Sequence, residues 1–380
     1  MGTRGQAGAS AAVEVDESAP ADEVALLGPT AAPGTAERVA LPRLSRRTIT
    51  LPDGHEVGVA VCGEGVPLVM VHGFIAEGIL YAQTLWRLVD MGFKVVAIDT
   101  AGHGGTQGLP SGGGTMASYA QLLGRVLDEL GLRKVVLAGH SMGGRLATEL
   151  AATQPERVAA LLLIDAIVGE TWDRMVFAFR VWPPLFAAVG AVLLADTLST
   201  VPLFRDPGQA AKLGNLVRPT IVGHMRRPWR LYGPAWSIMR SRGTAWMLDE
   251  LRLRRLPTFV IHGARDLPVP IATARDTARR ARGELVVVDG AAHSWLLRDP
   301  EAMPAIVHQL MRGRLGTAVL KAKLDAGLDV DATPAEVDAC PGFYAPDSLA
   351  VALTPTQRWH DDETLHRAPR YRWHVEHGEW

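Results

Sequence analysis

Six short apolar runs set the strongest limit on how this chain can fold. They are PLVMVHG, KVVAIDT, KVVLAGHS, VAALLLIDA, PTFVIHG and ELVVVDG, and none of them alternates apolar with polar residues. Continuous apolar runs are typical of parallel strands that are covered on both faces. Segments with helical spacing, such as MASYAQLLGRVLDELG and MGGRLATELAATQP, lie between the runs. The pattern therefore predicts a doubly wound α/β fold around a mostly parallel sheet.

Two further strands are predicted before the first of these runs. The segments TITL and VGVAVC flank the turn Pro52-Asp53-Gly54 and predict an antiparallel hairpin, which brings the expected sheet to eight strands. The alternation of strand and helix then breaks at residues 166–256, a stretch that contains Trp, Met and Pro but no strand pattern. We interpret this stretch as an inserted helical cap.

The two ends of the chain differ from the core in composition. Residues 1–44 are rich in Ala, Gly and Pro and cannot bury enough apolar surface to offset the entropy lost on ordering, so we expect disorder there. Residues 316–380 are broken by prolines and are expected to form an irregular extension. The predicted core then consists of residues 45–165 and 257–315, which flank the cap at 166–256.

The composition argues against several classes of function. A formal net charge of −1 gives no global attraction to nucleic acid. The two cysteines, Cys62 and Cys340, are far apart and suggest neither a disulfide framework nor a metal site. No basic start precedes an apolar stretch, and the apolar run at residues 181–195 is shorter than the roughly 20 residues of a membrane span. We expect a cytoplasmic protein without a metal, a transmembrane helix or a nucleic-acid partner.

The clearest chemical signal is Gly139-His140-Ser141-Met142-Gly143, which directly follows the strand KVVLA and opens the next helix. It fits the pattern G-x-S-x-G, in which a serine lies on a tight turn between strand and helix and the flanking glycines let the backbone pass without a clash. Ser141 is therefore the candidate nucleophile. The N–H of Met142, at the start of the helix, is a candidate donor to an oxyanion.

The other catalytic candidates follow later strands. A general base is expected in a loop after the last strand, and His293 follows ELVVVD in this way. Asp266, in the loop after PTFVIHG, is the preferred carboxylate to orient the imidazole of that histidine. Asp165 is a competitor for this role, because it ends the strand VAALLLID and lies at the same edge of the sheet.

Two earlier strand ends complete the predicted edge. His72 and Phe74 follow PLVMV, and we expect the Phe74 N–H to be the second oxyanion donor and His72 to pack within the loop. Asp99 ends KVVAI before a glycine-rich turn, which it is predicted to cap. That turn lacks the spacing and the lysine of a phosphate-binding loop, so no nucleotide cofactor is expected.

In this order and spacing, the motifs resemble the α/β-hydrolase family. The resemblance rests on the HGF loop at His72, the D-x-x-G-H-G turn at Asp99, the GHSMGG elbow, the G-x-x-D-x-x-V-P segment at Gly263 and the G-x-x-H segment at Gly290. It covers residues 48–312 and implies acyl-enzyme chemistry without a cofactor. It also implies a cap inserted after the sixth strand. Members that hydrolyse epoxides or haloalkanes carry an aspartate at the elbow, where this chain has a serine.

The cap offers the clues to the substrate. Its apolar first part fits either a lipophilic acyl or aromatic group beneath it or ordinary packing on the core. From Arg205 to Arg242, eight Lys and Arg stand against the single acid Asp206, which fits a solvated basic face or attraction to an anionic substrate or membrane surface. We expect a small lipophilic substrate, with peripheral membrane contact through the cap as an open alternative. The apolar positions are Phe177, Phe179, Trp182, Leu185, Phe186, Val189, Val192 and Leu193.

Two rivals to ester hydrolysis stay open. A carbon–carbon bond hydrolase of ring-cleavage products would use the same triad, and a cap arginine such as Arg180 or Arg230, paired with a substrate carboxylate, would favour it. A non-catalytic member of the fold would keep the pocket for ligand binding without turnover. A serine hydrolase that cleaves carboxylic esters is the preferred interpretation.

Overall fold

The computed structural model describes residues 40–42, 44–109, 114–200, 207–355, 358–360 and 368–377. Almost all of the N-terminal segment predicted to be disordered lies outside these residues, so that expectation stays a prediction. Among the residues described, no helix is both long enough and apolar enough to cross a membrane.

The core is a mostly parallel sheet, as the apolar runs predicted. Two strands, β1 and β10, pair with each other alone, and the other nine form one sheet in the order β11-β9-β8-β7-β6-β4-β5-β3-β2. All pairs from β4 to β9 within this sheet are parallel, whereas β2, β3 and β11 run antiparallel to their neighbours. The strands are β1 (Ala40–Pro42), β2 (Ser45–Thr50), β3 (Glu56–Cys62), β4 (Val66–Val71), β5 (Phe93–Ile98), β6 (Val135–His140), β7 (Val158–Ile164), β8 (Thr258–Gly263), β9 (Glu284–Val288), β10 (Arg358–His360) and β11 (Trp373–Glu376).

The sheet has nine strands instead of the predicted eight. The additional strand, β11, comes from the C-terminal extension and pairs with β9 from Trp373 opposite Val288 to Glu376 opposite Leu285. Its residues are WHVE, of which none is fully buried, so the sequence carries no apolar run at this point. The strand is specified by pairing with a neighbour that is distant in sequence, which a local pattern cannot reveal.

Helices cover the sheet, and the central strands are buried on both faces. Local signals explain where some of them begin: Thr115 caps α2, with its side chain accepting from the Ser118 N–H. The helices are α1 (Ala82–Val89), α2 (Met116–Glu129), α3 (Met142–Thr153), α4 (Glu170–Val181), α5 (Pro183–Ser199), α6 (Pro207–Arg226), α7 (Tyr232–Met239), α8 (Ala245–Leu253), α9 (Ile271–Ala281), α10 (Trp295–Arg298), α11 (Ala302–Met311), α12 (Arg314–Asp325), α13 (Pro334–Asp338) and α14 (Leu349–Ala352).

The insertion between β7 and β8 is helical in its described part. It contains α4 to α8, of which α8 packs against the core helices α3 and α9 and α4 also packs against α9. The helix α4 contacts both α5 and α7.

The C-terminal extension, predicted to be irregular, contains α12, α13, α14 and β11. It is fixed to the core through Lys94, whose buried ammonium group donates to Gly63 O at 2.7 Å and to Thr354 Oγ1 at 2.6 Å and pairs with Asp338 Oδ2 at 3.0 Å. The hydroxyl of Tyr344 donates to Gly65 O at 2.5 Å. The prediction missed this order because the anchoring partners come from strand ends that are far away in sequence.

Candidate active site

Ser141 lies on a strained turn between β6 and α3. Its φ is +53° and its ψ is −117°, a backbone conformation that is unfavourable for any residue with a side chain. A methyl group on Gly139 would lie 2.4 Å from Gly143 O, and one on Gly143 would lie 2.1 Å from Val71 O. Only glycine fits at these two positions, so the G-x-S-x-G spacing follows from the close approach of the backbone.

His293 and Asp266 form a buried hydrogen-bonded pair. The distance from His293 Nδ1 to Asp266 Oδ2 is 2.6 Å, and the other carboxylate oxygen accepts from the Val269 N–H at 2.7 Å. Burial by itself lowers the pKa of His293, but the charge of Asp266 and its hydrogen bond raise this pKa to about 9. With Nδ1 donating to the carboxylate, Nε2 is the ring nitrogen left to accept a proton.

Ser141 and His293 line one pocket at the carboxyl edge of the sheet. Phe74 and His140 also line it, and the cap helix α5 contributes Leu193 and Thr197. The loop that carries Phe74 passes close to the serine, since a methyl group on Gly73 would lie 3.0 Å from Ser141 Cβ.

Met142 begins α3, so its N–H lies in the first turn, where N–H groups have no acceptor within the helix and the helix dipole favours negative charge. The structure thus brings the five predicted site residues to one place: Phe74, Ser141 and His293 line the pocket, Asp266 binds the histidine and Met142 follows the serine.

Asp165, the competing carboxylate, is engaged elsewhere. One of its oxygens accepts from the Gly263 N–H at 2.8 Å, and the other accepts from Trp295 Nε1 at 2.6 Å. Burial and the nearby charge of Asp266 raise the pKa of Asp165 well above its ordinary value. The geometry favours Asp266 over Asp165 as the partner of His293.

A family model described as alpha/beta hydrolase fold matches residues 66–300, more than half of the chain. The chain belongs to the alpha/beta hydrolase family. The match contains the elbow, Asp165, Asp266 and His293, and the mostly parallel sheet covered by helices is the architecture expected for such a hydrolase.

The hydrolase is similar to proteins named as non-heme haloperoxidases and as esterases. It is 35% identical over 265 residues to a putative non-heme haloperoxidase of Mycobacterium phage D29, a match that covers 68% of this chain and 92% of the relative. It is 28% identical over 261 residues to the non-heme chloroperoxidase CPO-A1 of Kitasatospora aureofaciens, covering 64% and 90%. Among solved structures, a thermophilic esterase from Thermogutta terrifontis aligns with a TM-score of 0.52 and 25% identity, covering 70% of this chain and 98% of that one. These relatives support an enzyme of the hydrolase class.

Sequence reasoning missed two residues that hold His293 in place. The ring of His140 packs 4.8 Å from that of His293, and its Nε2 donates to the His293 carbonyl oxygen at 3.1 Å. Its Nδ1 accepts from the Tyr81 hydroxyl at 2.9 Å. Burial and the neighbouring His293 lower the pKa of His140 well below its ordinary value, so the ring stays neutral. The position of His140 inside the elbow motif was a usable signal, whereas nothing local marks Tyr81.

The remaining histidine and aspartate of this edge have structural contacts. His72 donates from Nδ1 to Gly73 O at 2.7 Å and accepts at Nε2 from the Thr100 N–H at 2.9 Å. Asp99 accepts from the N–H groups of Gly78 at 2.8 Å and Gly105 at 2.9 Å. These bonds agree with the packing role expected for the histidine and the turn-capping role expected for the aspartate.

Proposed function

We propose that this hydrolase cleaves carboxylic esters through Ser141, His293 and Asp266. The observation that carries the proposal is the 2.6 Å hydrogen bond between His293 and Asp266 beside a pocket that His293 shares with the strained Ser141. An oriented imidazole and a serine on a tight turn that lines the same pocket are the two groups that nucleophilic attack on a carbonyl needs.

The reaction follows from these positions. His293 Nε2 takes the proton of Ser141 as Oγ attacks the ester carbonyl, while the N–H groups of Phe74 and Met142 hold the oxyanion. The imidazolium then gives its proton to the departing alkoxide, which leaves an acyl-serine. Water repeats the attack with the same base, and the acid product and the free serine are released.

The substrate is proposed to carry a lipophilic acyl or aromatic group. The pocket is lined mainly by apolar side chains, among them Ile75, Leu193, Leu296 and Leu297. Of the apolar cap residues singled out in the sequence, Leu193 reaches this pocket, Phe179 is buried, and Phe177 and Trp182 face solvent. Peripheral membrane contact through the cap belongs to the same proposal, and a cytoplasmic location stays a prediction.

The contacts of the two candidate arginines do not favour carbon–carbon hydrolysis. The guanidinium of Arg180 donates to the carbonyl oxygens of Met239 and Ser241, and that of Arg230 donates to the carbonyl oxygens of Gly104 and Thr106. Both cations are thus already bound to backbone, and neither is among the residues that line the pocket. Among the described residues no arginine lines the pocket to pair with a substrate carboxylate, which supports ester hydrolysis.

The names of the relatives introduce a second candidate, halide oxidation with hydrogen peroxide. Hydrogen peroxide would take the place of water at the acyl-serine and release a peracid and the free serine. The peracid would then transfer one oxygen to bromide, which gives hypobromous acid and the carboxylate. The test is bromination of a dye in the presence of bromide. Bromination that requires an acyl donor, hydrogen peroxide and Ser141 together would support this activity. Ester hydrolysis without bromination would reject it.

The decisive test of ester hydrolysis is labelling with a fluorophosphonate, followed by a series of p-nitrophenyl esters of increasing chain length. We expect covalent labelling of Ser141 and a loss of at least about a thousandfold in kcat/KM for Ser141→Ala. Ser241→Ala is the matched control, since that serine lies outside the pocket. A wild-type protein that takes no label and turns over no ester would instead support the ligand-binding member of the fold.

A further inference from the structure

The helix α5 presents an apolar face to solvent. None of its residues is buried, and its exposed positions hold Pro, Ala, Val and Leu as far as Ser199. A helix that is apolar all round is normally covered by other parts of a protein or by lipid. The charged residue of this helix, Asp196, is not on that face, because its carboxylate accepts from the Ser294 N–H at 2.7 Å.

The apolar surface continues past the start of α5. Phe177 and Val181 lie one turn apart on α4 and are 66% and 70% exposed, and Trp182 follows them. Arg180 fixes this corner to the end of α7 through its hydrogen bond to Met239 O at 2.6 Å. We call this surface the cap outer face, and it consists of Phe177, Val181, Trp182, Val192, Leu194, Leu198 and Trp236.

One part of this face, at Trp236, lies on a positively charged segment of the chain. Residues 207–244, which include α6 and α7, contain seven Lys and Arg and no Asp or Glu. Arg240 lies over the ring of Trp236, with its guanidinium carbon 5.8 Å from the ring centroid. Exposed tryptophans next to arginines, beside an apolar helix, are the combination found on helices that lie in the interface of anionic membranes.

We propose that the cap outer face docks onto the surface of an anionic lipid bilayer, with α5 lying in the plane of the interface. The complementary charges favour lipid over a second copy of the chain, because two copies would bring their basic regions together. The apolar side chains enter the acyl boundary, and the arginines meet the headgroups.

Docking would also bring the pocket to the lipid. Leu193 and Thr197, on the inner side of α5, line the pocket that holds Ser141. A lipophilic ester concentrated in the bilayer would then reach the site without crossing water. This last step rests on the proposed function, whereas the docking itself does not require hydrolysis.

The test is sedimentation of the full chain with vesicles of phosphatidylcholine, alone or mixed with phosphatidylglycerol. We expect binding to the mixed vesicles that weakens with added salt. The double variant Leu194→Asp, Leu198→Asp should bind at least about tenfold more weakly. Leu324→Asp on α12 is the matched control, since Leu324 is 51% exposed and Leu198 is 49% exposed. Arg240→Gln should weaken binding by about fivefold.

The variants separate docking from catalysis. Ser141→Ala should bind the vesicles like wild type, and the double variant should keep wild-type turnover of a soluble short-chain ester, which also shows that it folds. Equal vesicle binding by the wild type and the double variant would overturn the proposal. So would a wild-type dimer in solution that the double variant dissociates, because a second copy would then cover the face.

Discussion

The carboxylate of Asp196, on the cap helix α5, accepts a hydrogen bond from the backbone N–H of Ser294, the residue that directly follows His293. One residue further along, Thr197 Oγ1 lies 3.0 Å from Ser294 Oγ. The cap is therefore fixed to the loop that carries the proposed base. The negative charge of Asp196 also contributes to raising the pKa of His293.

Asp196→Asn should lower the pKa of His293, because it removes a negative charge near the imidazole. The rise of kcat/KM with pH should then move to lower pH, with a loss of rate of roughly tenfold or less from the loosened loop. The measurement is a pH profile for a soluble ester. Thr197→Val is the control, since it removes the neighbouring side-chain contact without a charge, and an identical shift in that variant would speak against the electrostatic effect.

The wild-type pH profile should be displaced to the alkaline side. His293 accepts the serine proton only when neutral, and the Asp266 carboxylate outweighs burial to bring its pKa to about 9. The ester kcat/KM should therefore rise with pH and reach half of its maximum near pH 9. Because the pKa is raised on folding, the contribution of this group to stability is complete below about pH 6.5 and is lost as the pH rises through about 9. A kinetic midpoint below pH 6.5 would contradict this assignment.

Substitution of the two aspartates should have different consequences. Asp266→Asn should lower kcat by about four orders of magnitude. The amide no longer holds the proton on Nδ1 of His293 and no longer stabilises the imidazolium with a negative charge. Asp165→Asn should mainly lower the free energy of unfolding, by about 1–3 kcal/mol, because the amide cannot accept both of the N–H groups that the carboxylate now holds. Urea denaturation and ester kinetics on both variants separate the roles. A larger kcat loss for Asp165→Asn would reverse them.

Alanine substitutions at Gly143, in the strained turn, and at Gly190, on α5, test the steric argument for the turn. Gly143→Ala places a methyl group 2.1 Å from Val71 O, so we expect a loss of about 1–3 kcal/mol in the free energy of unfolding together with a loss of activity. Gly190→Ala on α5 meets nothing within 4 Å and should be neutral or stabilising by up to about 1 kcal/mol. Thermal denaturation compares the two, and equal melting temperatures would contradict the steric argument.

The parts of the fold that the sequence predicts are those whose cause is local. The strands β4 to β9 could be predicted because their own residues are apolar, and the elbow because its glycines lie beside Ser141 in the sequence. The loops of Asp266 and His293 could be placed because each follows such a run. The cap was predicted as an interruption of this pattern, without the order of its helices.

The features that the sequence missed arise from contacts between distant segments. The strand β11 is defined by its pairing with β9, and Tyr81 matters only because it lies against His140. Asp196 reaches Ser294 across nearly a hundred positions of the chain, and its sequence neighbours are an apolar helix. No periodicity or motif marks such partners, because each is specified by where the completed fold brings it.

The strand β11 has a consequence for the behaviour of the protein in solution. By pairing with β9 from Trp373 to Glu376, it occupies the row of N–H and C=O groups that β9 would otherwise leave open. Without β11, the strand β9, with the sequence ELVVV, would be an unpaired edge strand. Such an edge can pair with the sheet of a second molecule. Removing β11, or attaching a bulky tag close to it, would expose the edge of β9 and should increase aggregation.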